Sequence, residues 1–389
     1  MKRRIWSAAM MVCLVVLGGA LPASARYMLV GIDGKVTWNE QGVMESLPPG
    51  ADKIQIFDIA KGGTEPQQVT VLELSNSIYG PPTNMAITKD ERLALVANSV
   101  EWVQKDGKWT ASPGREIYVI DMEATPPKRI ATVTGDLQPS GMAVNRAGTL
   151  ALVANRKGHS VTVFSIEGKS VSLVGTVSMG DEVAAVSISP DGSKAWVVKN
   201  KAHKLALLSI EGTKVAPTGF EIPVLWPYNV DMTPDGALAF CCDMGGPGGS
   251  SGHVDTVSVI DMTQNPPRVV DRVVTGDGPE GFAVSPDGSY LATVNIRGSN
   301  VDHGSWLYHK KGTVSLLKID GKSLTKVDEV EVEAMPEGVV WSPDGVWMYV
   351  GNFLDKNMSV LKVEEGRLVN TGKTIPLAGG PASMCGPVK

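Results

Sequence analysis

The sequence predicts an all-β chain folded as a seven-bladed β-propeller, with four antiparallel strands per blade and one blade shared by the two chain ends. Three observations predict it. One motif recurs six times along 389 residues, each copy reads as a β-hairpin, and the residues outside the copies supply the strands of one further unit. Composition agrees: 43 Gly and 25 Pro beside 43% hydrophobic residues imply many short elements joined by tight turns, which excludes a helical bundle. There is no period-three glycine, long heptad run or second apolar 20-mer, so collagen, coiled-coil and polytopic membrane folds are excluded as well.

Taken in chain order, residues 1–25 read as a secretory signal. Lys2, Arg3 and Arg4 precede an apolar run from about Met10 to Leu21, and Ala23-Ser24-Ala25 offers a small-x-small cleavage site before Arg26. Export to the periplasm or the medium is expected, with no membrane span after cleavage. Removing the three basic residues leaves 33 Lys+Arg against 41 Asp+Glu, a net charge near −8. That balance argues against a nucleic-acid partner or an anionic membrane surface. Residues 26–389 are then expected to form a single domain.

The stretches MAITKDERLALVAN, MAVNRAGTLALVAN, VSISPDGSKAWVVKN, VDMTPDGALAFCCD, FAVSPDGSYLATVN and VVWSPDGVWMYVGN are copies of one motif. Their equivalent positions Asn98, Asn155, Lys199, Asp243, Asn295 and Asn352 are spaced by 57, 44, 44, 52 and 57 residues. Each copy is an apolar alternation, a Pro-Asp-Gly-type turn and a second apolar run. A third strand follows (EIYVIDM, SVTVFSI, KLALLSI, TVSVIDM, TVSLLKI, MSVLKV), then a less regular fourth such as RIATVTG. Four strands per 44–57 residues is a propeller-blade period. Six complete blades occupy about 76–377. The stretch GGPASMCG near the C-terminus reads as a first strand with no second, and YMLVGID near the N-terminus as a second with no first. Joined, 27–75 and 378–387 make the seventh blade and close the ring.

The mature chain holds Cys241, Cys242 and Cys385. The adjacent pair could close a vicinal disulfide or stand as two thiols on alternate strand faces. No CxxC or CxxCH occurs, which disfavours a c-type haem or a thioredoxin-like site.

The S/T-P-D-G turn, the following A-x-V-x-N and a TVSVID-like strand resemble the YVTN-type propeller repeat. The region of Ala154-Asn155 and SVTVF is similar to lactonase-type seven-bladed propellers, which include a phosphogluconolactonase and a muconate-lactonising branch. These motifs are structural: Pro-Asp-Gly makes a turn, and the repeated Asn is expected to hydrogen-bond backbone at a strand end. The resemblance implies His, Arg and Glu at the channel mouth. Trp226-Pro227-Tyr228 stands where it would place a histidine-bearing blade entry.

Connectivity puts the Pro-Asp-Gly turns on one face and the strand 2–3 and blade-to-blade connections on the other. His159, His203, His253, His303 and His309 all fall in 2–3 connections, as do the long insertions 34–53, 99–115, 244–255 and 296–312. A face that gathers titratable residues and variable loops over a rigid scaffold is the expected ligand face. Hydrolysis of a lactone needs a base to activate water and a cation to stabilise the oxyanion. Glu280, Glu337 and His159 are the candidate bases, with Arg156 and Arg297, each following a strand-end Asn, as stabilisers. Trp226, Tyr228, His303, Trp306 and His309 are candidate ligand contacts. Asp302-His303 and His253-x-Asp255 lack metal-site spacing, so no metal is expected. The run Gly245–Gly249 reads as a flap, not a phosphate loop.

Two readings from different classes follow. The first is an exported propeller that holds a small ligand or an envelope protein on its histidine-bearing face. The alternative is a lactonase-like hydrolase. A third, an accessory subunit of a periplasmic dehydrogenase, finds no cofactor attachment in this chain, and the identity of any cofactor stays open.

Overall fold

The computed structural model describes residues 26–50, 52–247 and 249–388; the expected signal segment, residues 1–25, lies outside them. All regular structure among the described residues is β. Seven four-stranded antiparallel sheets form the blades of a propeller. The first is built by both chain ends, in the order Gly380–Cys385, Tyr27–Asp33, Lys53–Asp58 and Gln67–Leu72. Blades 2 to 7 start at inner strands Met85–Ile87, Pro139–Val144, Val186–Ile188, Pro227–Met232, Pro279–Val284 and Pro336–Trp341. Two further hairpins, Val36–Trp38 with Met44–Ser46 and Val100–Lys105 with Lys108–Pro113, rise from 2–3 connections.

The apolar alternation read in the sequence becomes seven interblade cores. Leu150, Leu152 and Val163 of blade 3 pack against Ala195, Val197 and Leu208 of blade 4, and an equivalent cluster fills each of the other six interfaces. The last of these joins Met28 and Val30 to Tyr349 and Val360, so the ring closes through side chains as well as strands. Each fully buried aliphatic side chain contributes about 1.5–3 kcal/mol. The adjacent cysteines carry free thiols, and their strand presents them to different interfaces: Cys241 faces blade 4 and Cys242 faces blade 6.

The turns between first and second strands share one hydrogen-bond scheme. In blade 5 the Thr233 hydroxyl donates to Asp235 at 2.5 Å, and the Asp235 carboxylate accepts the Ala237 N–H at 2.9 Å. Ser189 and Asp191 repeat it in blade 4, as do Ser285 and Asp287 in blade 6. The repeated strand-end Asn serves the third strand, chiefly through side chains rather than backbone. Asn295 donates to the hydroxyls of Thr313 and Ser315, and Asn352 to Ser359. In blade 5 the equivalent Asp243 reverses the polarity and accepts from Ser258.

The inner strands nearly touch around the axis. A Cβ on Gly281 would collide with the Glu337 carbonyl oxygen, and one on Gly338 would lie 2.8 Å from Met384. Lacking side chains there, these strands come together and aim the preceding residue, Glu280 or Glu337, at the channel.

Candidate active site

The residue that follows the entry proline points into the mouth of the channel on the loop-rich face. Read blade by blade, this position holds Thr83, Ser140, Tyr228, Glu280, Glu337 and, in the closing blade, Ala382, while in blade 4, where Val183 replaces the proline, it holds Ala184. The residue before the proline has a left-handed backbone at Gln138 (φ 57°), Trp226 (φ 52°), Gly278 (φ 68°) and Met335 (φ 53°). For the three non-glycines that conformation costs on the order of 1–2 kcal/mol each. Part of the backbone strain thus sits where side chains are delivered to the axis.

Glu280 and Glu337 meet in this mouth. Glu337 is completely buried, and neither of its carboxyl oxygens finds a hydrogen-bonding partner within normal geometry among the described residues. Glu280, beside it, is half-buried. Burial raises the Glu280 carboxyl above its ordinary 4.5. Glu337 is pushed well above that value, first by burial and then by the Glu280 charge. Two carboxyls so placed cannot both ionise freely, so the pair holds a proton above the ordinary carboxylate range. Tyr228 faces them, and burial followed by the Glu280 charge raises its phenol, which keeps the hydroxyl protonated.

Arg156 completes the group. It lies beside Tyr228, its Nη2 donates to Glu182 at 3.0 Å, and its Nη1 is buried without a partner among the described residues. Lys157 and Lys201 reach the same Glu182 carboxylate at 3.6 and 2.9 Å, so three cations surround one anion. Next to Arg156, across Gly80, lies Ser140; the Oγ atoms of Ser140 and Thr83 and the Gln138 Oε1 are also buried and unpaired. Buried polar atoms without partners are uncommon in folded proteins, and several in one mouth mark a place built for polar groups from outside the chain. The mouth therefore has two sides, hydroxyls and a guanidinium facing a carboxyl pair, with Tyr228 between them.

The loops cover part of it. Trp38, Tyr79, Trp102 and Phe353 join Met335 and Ile296 in an apolar roof, in which Trp38 meets Phe353 edge-on at 5.7 Å and the Trp102 indole N–H donates to Leu47 O at 2.8 Å. Gly249 lies against Glu280: a Cβ there would be 3.9 Å from Glu280 Oε1. The neighbouring Ser250 accepts the Gly298 N–H at 2.6 Å.

Of the residues expected from sequence, Arg156, Tyr228, Glu280 and Glu337 come together. Arg297 is corrected: its left-handed backbone and its 3.0 Å contact with Glu331 turn it to the outer edge of the blade, away from the mouth. His159 is corrected too, exposed at a turn between strands, where its carbonyl accepts the Met179 N–H. Trp226 turns edge-on to His203 at 5.3 Å, and its backbone N–H donates to His203 Nδ1. His303 stacks on Tyr308 at 4.1 Å, His309 contacts Leu307 O, and Trp306 is 80% exposed. These three lie on the 296–312 insertion, separate from the carboxyl pair. Ser140, Thr83 and Glu182 were not singled out from sequence. The signal for the first two was available, because they hold the same post-proline register position as Glu280 and Glu337. No group of three or more His, Cys, Asp or Glu side chains suited to a metal ion occurs among the described residues.

Fold and mouth together define a seven-bladed propeller with a buried carboxyl pair under its loop-rich face. Among known proteins the chain resembles the lactonase-type propellers: residues 49–232 match the family model described as Lactonase, 7-bladed beta-propeller. Among solved structures, a candidate 6-phosphogluconolactonase of Bacteroides fragilis is similar over 95% of this chain and 100% of its own, at 18% identity and a TM-score of 0.69. One from Bacteroides uniformis matches 93% of this chain and 99% of its own at 16% identity and 0.69. A periplasmic gluconolactonase of Pseudomonas aeruginosa matches the same shares at 19% and 0.68. At these identities the likeness establishes the fold. A curated relative, Antigen Lp49 of Leptospira interrogans, is 32% identical over 108 residues; the match spans 27% of this chain and only 23% of that protein.

Proposed function

We propose that this chain is an exported lactonase-like hydrolase that opens a small cyclic ester to its hydroxy acid. The observation that carries the reading is the Glu280–Glu337 pair, in which Glu337 is buried without a partner among the described residues, facing Tyr228 and Arg156 at the mouth of a propeller similar to lactonases. Export rests on the basic, apolar and small-x-small pattern of residues 1–25.

In this reading Glu337 holds the shared proton and Glu280, the less buried of the two, acts as the base. Glu280 takes a proton from water as the water oxygen bonds to the lactone carbonyl carbon. The Tyr228 hydroxyl and Arg156 Nη1 donate to the developing oxyanion. When the tetrahedral intermediate collapses, the ring C–O bond breaks and Glu280 returns its proton to the departing alkoxide. Thr83 and Ser140 hold oxygen substituents of the substrate.

A panel of five- and six-membered lactones assayed with the purified protein tests this. Glu280→Gln is expected to lower kcat/KM by about 10²–10⁴, and Arg156→Ala by about 10²–10³. Arg297→Ala and His159→Ala should retain wild-type rates. The acidic limb of the pH–rate profile should fall above the ordinary carboxylate range. Absence of turnover, or turnover indifferent to Glu280→Gln, defeats the proposal. The apolar roof favours the second reading, a propeller that binds without chemistry, for which saturable lactone binding without turnover would be the signature.

A further inference from the structure

The opposite end of the channel, on the Pro-Asp-Gly face, is lined by residues 385–388. Beyond strand Gly380–Cys385 the tail crosses toward blade 2, where Pro387 forms a parallel bridge with Ile87 and the Val388 N–H donates to the Ile87 carbonyl at 3.3 Å. Val388 packs onto the core between blades 2 and 3. Residues 385–388 thereby wall two cavities of different character.

One, of about 210 Å³, extends toward blades 3 to 5 and includes the polar side chains of Arg146, Ser187, Asp231 and Thr233. The other, of about 430 Å³, lies under blades 6 and 7 and is walled by Phe282, Ala283, Val339, Val340, Trp341 and Val388. The Trp341 indole N–H is occupied, donating to Ala283 O at 3.1 Å, so the ring meets this cavity as apolar surface. The charged residues among its described lining are both cations, Lys89 and Arg26. Arg26 is paired with Glu91, whereas Lys89 makes no ion pair among the described residues.

We propose that this cavity is a second ligand site, taking a medium-chain fatty acid or an equivalent unbranched amphiphile with one carboxylate. Its volume is in the range of small-molecule pockets, its walls suit an alkyl chain, and its cationic rim suits an anionic head. A polyhydroxylated ligand would find few partners there. Because the site lies at the far end of the channel from Glu280, it stands or falls independently of the hydrolase reading.

Titration of the full chain with octanoate, decanoate and dodecanoate below their micelle concentrations, followed by calorimetry, tests it. Saturable one-to-one binding is expected, with Kd falling about fifteenfold for each two added methylenes. Dodecanol should bind more weakly than dodecanoate. Lys89→Glu, a surface change that leaves the fold intact, should weaken dodecanoate several-fold, and Ala283→Phe, which fills the cavity, should abolish binding. Glu280→Gln should leave the affinity unchanged. Absence of saturable binding, affinity independent of chain length, or affinity unaffected by Lys89→Glu overturns the proposal.

Discussion

Glu280 concentrates the chemistry of the mouth and also places a load on the fold. Its carboxyl is raised in the folded state, so the native protein holds that proton more tightly than the unfolded chain does. This favours folding below the unfolded value of about 4.5 and is lost as pH rises through the folded value. The wild type should therefore lose stability between about pH 5 and neutrality. Glu280→Gln should flatten that slope and be more stable by about 1–2 kcal/mol at pH 8 in urea denaturation, while losing hydrolysis. Equal slopes in the two proteins would show that the pair carries no such load. Glu280 and Glu337 were legible in the sequence because a repeat places equivalent residues at equivalent points. Arg297 was not: its position after a strand-end Asn is shared with Arg156, and only the neighbour each side chain finds, Glu331 or Glu182, separates an outward residue from an inward one.

At the scale of the element, the hairpin turn is the unit that repeats, and its acid behaves oppositely to the pair in the mouth. The Thr233 hydroxyl, followed by the Ala237 N–H, holds the Asp235 carboxyl below its ordinary 3.8. A depressed folded pKa gives stability that is present above the unfolded value and lost as pH falls through the folded one. The carboxylate is exposed and its charge screened by solvent, so Asp235→Ala should cost about 0.5–1.5 kcal/mol at pH 7, read as a shift in the denaturant midpoint. The difference from wild type should shrink toward about pH 2. Strand order and turn chemistry could be read from sequence since they rest on local contacts. The loop-rich face could not, because its insertions take their shape from one another: Gln41 bridges Asp302, and Trp102 reaches Leu47, partners far apart in the chain that no period relates.

At the scale of the whole molecule, stability is distributed over seven similar interfaces, and the one that differs is the closing blade. There the inner strand comes from residues 380–385 and the other three from the N-terminal region. Deleting residues 380–389 should open the ring, removing the buried Ala382 and Met384 from their contacts and exposing the edge of Tyr27–Asp33. A loss above about 4 kcal/mol, with unfolding no longer a single cooperative transition in calorimetry, is the expected result. A truncated chain that melts like wild type would mean that the six-blade arc is self-sufficient.

That same blade sets how the molecule answers to force. Leu29 is opposite Cys385 and Asp33 opposite Gly380, so both chain ends leave the strand pair from the same end of its ladder. Tension applied to the termini would load the hydrogen bonds singly and in sequence, as in a zipper, rather than all together in shear. A ring held shut by its closing blade would thus peel open under a small pull.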